Sequence, residues 1–358
     1  MKKVAIAAAV AGAFATSATA AELSTFIYQD YALENVDYSP ASGTTGYNTM
    51  EIASAGSNMV NFNYSDDLGN GLGLIGSFSM VATGSRGSDS TCVECGGVSD
   101  ITNRNSFIGL TGDFGKITFG THEFQAELAV ILKDGWDANY NMGAGGALRG
   151  IGATATTTAA GFVGRRAQGI EWTSADLNGL KIIASYYEGN DATPNTIDQN
   201  GSEVNLQYNV GGIKLEGGSG SSNDNAGVAG DSLDFTYLAF SYDLGVVSVA
   251  GSTFTEKLYD SSAATNVKQS GRHINVIMPT AGGRIIANMS AQGDRKENGT
   301  SQANSGRSGW DIGYMHDFSA NTKGYVRYGV RSVDSDYSSA ATVQNDTARL
   351  QLGLRFVY

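Results

Sequence analysis

The sequence predicts an all-β chain, a transmembrane antiparallel up-and-down β-barrel of about 16 strands, an even number in the range for bacterial barrels. Three observations carry that reading. The last nine residues, Leu350-Gln351-Leu352-Gly353-Leu354-Arg355-Phe356-Val357-Tyr358, alternate with period two up to an aromatic terminus. Leu350, Leu352, Leu354, Phe356 and Tyr358 form an oily face, and Arg349, Gln351 and Arg355 form a polar one. That division suits lipid outside and water inside. Second, the chain opens on an export signal. Third, 48 Gly, 3 Pro, 17 Tyr and 14 Phe describe many strands and tight turns, with aromatics to spare for the two membrane interfaces.

Residues 1–20 read as a secretory signal peptide, with Lys2 and Lys3 as the basic start, residues 4–15 as the apolar stretch and Ala18-Thr19-Ala20 as the cleavage site. The apolar stretch falls short of the roughly 20 residues that a spanning helix needs. No later segment comes near that length. An exported chain without a membrane helix can still enter a bilayer as a closed barrel, because closure pairs every backbone group. Residues 21–358 are expected to form one barrel domain, since turn spacing and composition continue unchanged to the end. The formal net charge of −12 argues against nucleic acid, which needs lysine and arginine to release its counterions.

Along the chain, short turns recur between alternating runs. They are Asp67-Leu68-Gly69-Asn70-Gly71, Asp113-Phe114-Gly115, Asp176-Leu177-Asn178-Gly179, Gly211-Gly212, Asp243-Leu244-Gly245, Gly282-Gly283 and Asp317-Phe318-Ser319-Ala320-Asn321. Each supplies residues that tolerate positive φ, so all are expected as tight hairpins at one barrel end. Longer polar stretches lie between them, at 81–100, 189–201, 220–231, 258–270, 293–308 and 334–346. These are expected as loops at the other end, an asymmetry that puts the short side in the periplasm. Val326, Tyr328 and Val330 oppose Lys323, Tyr325, Arg327 and Arg331, and Trp310, Ile312 and Tyr314 oppose Asp311. Two runs, 103–111 and 180–188, do not separate into clean faces; a strand facing another subunit would tolerate that.

Three stretches resemble the general diffusion porins of the Gram-negative outer membrane: Ser65-Asp66-Asp67-Leu68-Gly69-Asn70-Gly71-Leu72, Asn103-Arg104-Asn105-Ser106-Phe107-Ile108-Gly109-Leu110-Thr111-Gly112-Asp113-Phe114-Gly115, and the aromatic-ended last strand. The resemblance implies a homotrimer in outer-membrane lipid that passes small hydrophilic solutes and ions by passive diffusion through a water-filled lumen. It also implies a third loop folded inward to narrow the pore. The longest stretch without a turn signal, residues 121–164, fits that loop and carries Glu123, Glu127, Asp134 and Asp137. By the resemblance, Arg104 and Arg165 face those acids from the barrel wall. Two departures affect the expected field. The run Asn58-Met59-Val60-Asn61-Phe62 carries no wall arginine, and Asn141 stands near a position that is commonly acidic. Four loop carboxylates against two arginines predict a mild cation preference.

Other signals are decoys or local features. Cys92 and Cys95 sit in a long loop of an exported chain, where a small disulfide is expected; a metal site would need further Cys or His nearby. Gly71-Leu72-Gly73-Leu74-Ile75-Gly76 matches a dinucleotide glycine pattern but opens a strand, not a helix. His122, His273 and His316 are scattered, so no triad, metal site or cofactor is expected, and the chain is not read as an enzyme. Competing readings are a substrate-selective channel, which needs an aromatic track or basic ladder, an outer-membrane barrel enzyme, which needs converging acids or a triad, and a surface adhesin.

Overall fold

The computed structural model describes residues 21–40, 46–54, 58–82, 101–123, 125–130, 135–136, 165–188, 200–223, 230–261, 263–334 and 345–358. The expected signal peptide, Asp134, Asp137, Cys92 and Cys95 lie outside these residues. The first strands are β1 (Glu22–Pro40), β2 (Tyr47–Ser54), β3 (Met59–Gly69), β4 (Leu72–Ala82), β5 (Ile101–Gly112) and β6 (Gly115–Glu123), followed by a short helix, α1 (Gln125–Val130). Next come β7 (Arg165–Thr173), β8 (Leu180–Glu188), β9 (Asn200–Val210), β10 (Ile213–Asn223), β11 (Ser232–Asp243), β12 (Ser248–Asp260), β13 (Thr265–Thr280) and β14 (Gly283–Gln292). The last are β15 (Lys296–Glu297), β16 (Thr300–Ser301), β17 (Arg307–Asp317), β18 (Thr322–Val333) and β19 (Asn345–Val357).

All pairings are antiparallel, and the sheet closes on itself where β1 meets β19, from Tyr28↔Val357 to Pro40↔Asn345. Ile27 and Tyr358 exchange two backbone hydrogen bonds of 2.9 Å beyond that ladder. β2 and β3 are two halves of one stave, because β1 pairs with β3 along residues 22–28 and with β2 along 31–38. β15 and β16 form a small hairpin hung on β13, while β14 pairs directly with β17. Sixteen staves therefore complete the circle. Closure leaves no edge among the sixteen staves and satisfies their backbone in lipid.

The seven expected tight turns all join consecutive staves, and Asn70 and Asn178 adopt positive φ within them. The expected loop at 258–270 is instead strand: β12 and β13 stay paired up to Asp260↔Thr265. Its polarity misled because strands that rise past the lipid carry polar residues on the outer face too.

The two faces of the last strand fall as its alternation requires. Leu352 is 63% exposed on the outer face, while Gln351 and Arg355 are buried on the inner one. The two runs without clean faces have local causes. In β5 the register shifts opposite Phe78 and Met80, a β-bulge that reverses the parity of the residues before it. In β8, Ile183 and Tyr187 are buried on the inner face, and Tyr187 belongs to an apolar cluster with α1. An inner wall covered by a helix has no need of polar residues.

Candidate functional site

The inner wall of β17, β18, β19 and β1 is built from charged pairs that the cross-strand register makes unavoidable. Asp30 and Arg355 are direct partners across the β1–β19 seam. Arg355 donates from Nε at 2.9 Å and Nη2 at 2.7 Å to Asp30 Oδ2. The Tyr325 hydroxyl donates to Oδ1 at 2.8 Å and the Tyr28 hydroxyl to Oδ2 at 3.2 Å. The Asp30 amide, at the break between β2 and β3, donates to Asn58 Oδ1 at 2.6 Å. One turn of the ladder away, Glu34 accepts from Arg349 at 3.1 Å and from its direct partner Gln351.

A second set runs across β13, β14, β17 and β18. Asn275 donates to Asn288 at 2.7 Å, and Asn288 donates to Asp311 Oδ1 at 2.8 Å, each to its cross-strand partner. Arg327 reaches Asp311 diagonally, with Nη2–Oδ2 at 3.0 Å and Nε–Oδ1 at 3.2 Å. Charges this well buried are costly to desolvate, and close pairing with added hydrogen bonds to the carboxylates offsets that cost.

Trp136 joins the two sets. Its Nε1 donates to Asp311 Oδ1 at 3.0 Å, and its carbonyl accepts from Arg355 Nη2 at 2.8 Å. The Arg327 guanidinium stands 4.7 Å from the centre of its ring, and the Tyr325 ring lies 5.8 Å away. Two glycines make room for this approach. A Cβ on Gly313 would come within 2.8 Å of Trp136 Cη2, and Gly135, at φ +70°, lies against Ile277, Asn275 and Ile286. Trp136 is 1% exposed.

On the other side, α1 lies against β9, β10, β11 and β12. Its Ala126, Ala129 and Val130 are buried with Tyr187, Leu233, Phe235, Tyr237, Ala239, Phe254 and Leu258. Glu203 on β9 accepts from the backbone amides of Gln125 at 2.9 Å and Ala126 at 2.7 Å, and from the Tyr237 hydroxyl at 3.0 Å. Those amides begin the helix and have no intrahelical acceptor, so the wall carboxylate does the work of a cap. At the far end Ser252 donates to the Val130 carbonyl at 3.1 Å. Gln125 also reaches Glu171 at 3.2 Å. The described part of the segment that follows β6 thus lies on the inner wall, first at β9–β12 and then, six residues on, at β17–β19 and β1.

Of the residues expected at a constriction, Glu127 is fully buried within α1. Glu123 ends β6 and accepts from Asn105 Nδ2 at 3.3 Å. Arg165 opens β7 in register with Glu123, and its neighbour Arg166 is in register with the buried His122. Arg104 falls in the bulged part of β5. The sequence reading had Arg327, Arg349, Arg355 and Asp311 on the inner face but did not treat them as a site. It missed Asp30, Glu34 and Glu203, and it gave Trp136 no role because the aromatics that could form a track are dispersed in sequence. Alternation in Glu203-Val204-Asn205-Leu206-Gln207 carried a signal for Glu203; nothing local singled out Trp136. Among the described residues no group of three or more His, Cys, Asp or Glu could hold a metal ion, and no helix is long and apolar enough to cross a membrane.

A family model described as Gram-negative porin matches residues 5–336. No curated protein matches the chain in sequence. Among solved structures, the anion-selective porin of Comamonas acidovorans superposes with a TM-score of 0.74 at 17% identity, covering 95% of this chain and 100% of that one. OmpF of Salmonella typhi, in complex with daunomycin, gives 0.65 at 15% identity with the same coverage. A trimer form of OmpT, an outer membrane protein of Vibrio cholerae, gives 0.65 at 14% identity, again over 95% and 100%.

Proposed function

The chain belongs to the Gram-negative porin family and is an outer-membrane channel, and from that premise we propose that it works not as an enzyme but as a homotrimer for passive diffusion of small hydrophilic solutes and ions. The observation that carries the proposal is the position of α1 and Trp136 against the inner wall; in this reading the segment they belong to narrows the passage. A constriction sorts by size and by charge without doing chemistry.

In this reading Glu123, Glu127, Asp134 and Asp137 supply the acidic side of the constriction, and Arg104 and Arg165 the basic side. Glu127 acts from a buried position, through its field. Cation preference is mild because Arg327, Arg349 and Arg355 are each tied to an inner-wall carboxylate and add little net charge. Signal-peptide removal after Ala20 and a Cys92–Cys95 disulfide belong to the same proposal.

One observation favours a second reading, anion preference. Arg284 on β14 donates to the uncharged Met315 Sδ at 3.1 Å and makes no ion pair among the described residues. Planar-bilayer recording separates the two. Stepwise ohmic conductance in triplets is expected, with a reversal potential across a KCl gradient of the sign for K⁺ preference. The opposite sign selects the second reading, and a folded barrel that never conducts removes both.

A further inference from the structure

We propose that Asn58 is a positioning residue of the channel: through the backbone of Asp30 it fixes the seat of Trp136, and with it the width of the passage. Ile27 and Tyr358 exchange both backbone hydrogen bonds across the β1–β19 seam. Hydrogen-bonded and non-hydrogen-bonded pairs alternate along an antiparallel ladder, so Asp30↔Arg355, three pairs on, is of the non-hydrogen-bonded kind. Side chains of such a pair stand close, with Cα atoms about 4.5 Å apart, which lets Arg355 grip the carboxylate with two nitrogens. The Asp30 amide, in turn, points away from β19 and toward the stave made of β2 and β3.

That stave is broken at this height. β1 pairs with β3 up to Tyr28↔Met59 and with β2 from Tyr31↔Ser54, so four residues, 55–58, are left where β1 has only Gln29 and Asp30. Asp30 belongs to neither ladder. Its amide goes instead to the side chain of Asn58, 3% exposed, at 2.6 Å. A side-chain oxygen thus stands in for a strand carbonyl, and the backbone that carries a fully buried carboxylate is held by it. The β19 ladder holds the neighbours of Asp30 and not its own amide. From there the contacts run on without a gap: Asp30 Oδ2 accepts both Arg355 bonds, and Arg355 Nη2 also donates to the Trp136 carbonyl at 2.8 Å. Closure of the barrel does not depend on this route, because the seam continues in register to Pro40↔Asn345. What depends on it is where the carboxylate, the guanidinium and Trp136 sit. The inference rests on the reading that the segment carrying Trp136 narrows the passage.

Trp172→Phe and Trp310→Phe leave Trp136 as the one tryptophan of the chain. Its quenching by acrylamide is read in the mature chain refolded in lipid vesicles, beside single-channel conductance in planar bilayers. Asn58→Ala and Asn58→Leu remove the acceptor, the second at similar volume, and Asn58→Asp keeps an oxygen in its place. Both acceptor-free variants are expected to lose the protection of Trp136 and to conduct more, while Asn58→Asp keeps the protection and the wild-type conductance. In an Arg355→Gln background Asn58→Ala is expected to add nothing, since residues that act through one another are not additive. Protection retained by both acceptor-free variants overturns the proposal, and so does an Asn58→Asp channel as open as theirs. A full-sized effect of Asn58→Ala on top of Arg355→Gln overturns it too, because the route then bypasses the ion pair. If neither acceptor-free variant refolds, Asn58 serves closure of the barrel and the proposal falls. Release of Trp136 with unchanged conductance leaves the link from Asn58 to Trp136 standing and removes the narrowing reading instead.

Discussion

On the β8–β12 side, the inner wall is apolar where α1 covers it, and the helix is tied by its own backbone ends to Glu203 and Ser252. On the β17–β1 side the inner wall is a net of buried ion pairs, and Trp136 is held there by its indole N–H, its carbonyl and its ring. The two anchors sit six residues apart in sequence and rely on different physics. Burial of alanine, valine and aromatic side chains is non-directional, so the helix side tolerates small adjustments. The arginine side depends on geometry, since a charge shifted out of its pair is left desolvated and unmatched. The contrast predicts that single substitutions cost most on the arginine side and that their effect on conductance and on stability moves together there.

The largest effect is expected for Asp311→Ala. Asp311 accepts from Trp136, Asn288 and Arg327 at once, and its loss leaves the Arg327 guanidinium buried without a counter-charge. Removing one partner of a buried pair costs about 3–5 kcal/mol. The urea midpoint of the barrel refolded in lipid vesicles should fall accordingly, and single-channel conductance should rise as Trp136 loses its anchor. An unchanged midpoint would show that water already reaches Arg327 and would break the contrast.

Next comes Glu203→Ala on the helix side. Two backbone amides of α1 and the Tyr237 hydroxyl lose their acceptor, and leaving buried donors unsatisfied costs about 1–3 kcal/mol. The apolar contacts of Ala126, Ala129 and Val130 remain. The midpoint is expected to fall by less than for Asp311→Ala, with noisier open-channel current and little change in its mean. A larger fall than for Asp311→Ala would mean that the carboxylate, not the apolar cover, holds the helix.

The same contrast explains what was legible in the sequence. On the arginine side each face was readable, because lipid on one side and charge on the other enforce strict alternation: Leu350, Leu352 and Leu354 against Arg349, Gln351 and Arg355. The tight turns were readable from their Asp, Asn and Gly residues. On the helix side β8 defied the period-two reading, since Ile183 and Tyr187 face inward as apolar residues, Tyr187 in the cluster that packs on α1. The pattern of a strand reports what lies on both of its faces, and a covering element far along the chain is invisible to it. For the site, the long stretch without a turn signal, together with the family resemblance, pointed to the segment that holds α1 and Trp136. It did not reveal that a tryptophan would take up the wall charges, because Trp136 meets Asp311 across 175 positions of sequence.

A smaller effect is expected for Trp136→Phe. The ring stays over Arg327, and only the indole N–H to Asp311 is lost, while Asn288 and Arg327 still serve that carboxylate. A single hydrogen bond is worth about 0.5–1.5 kcal/mol net, somewhat more to a charged group. Conductance should change less than for Asp311→Ala, which separates the role of the ring from that of the N–H. If Trp136→Phe opens the channel as widely as Asp311→Ala, the indole hydrogen bond is the anchor and the ion pair is only its support.

The smallest effect is expected at the turn end, where Lys323 and Asp317 pair at 3.1 Å with Asp317 exposed. Lys323 also donates to the Ala320 carbonyl at 3.3 Å. Solvent screens such a pair, and exposed pairs are worth about 0–1 kcal/mol. Lys323→Gln keeps a donor for Ala320 and removes only the charge, so the midpoint should hardly move, and what movement there is should vanish in molar salt, where the screening length falls to about 3 Å. The buried pairs of Arg327 and Arg355 should keep their contribution in the same salt, because little solvent reaches them. Since Arg327 and Lys323 lie on the same strand and the same face, four residues apart, the two salt responses isolate burial as the variable. A strong salt response at Arg327 would show that the inner wall is wet and that its ion pairs, like the one at the turn, are interactions of the surface.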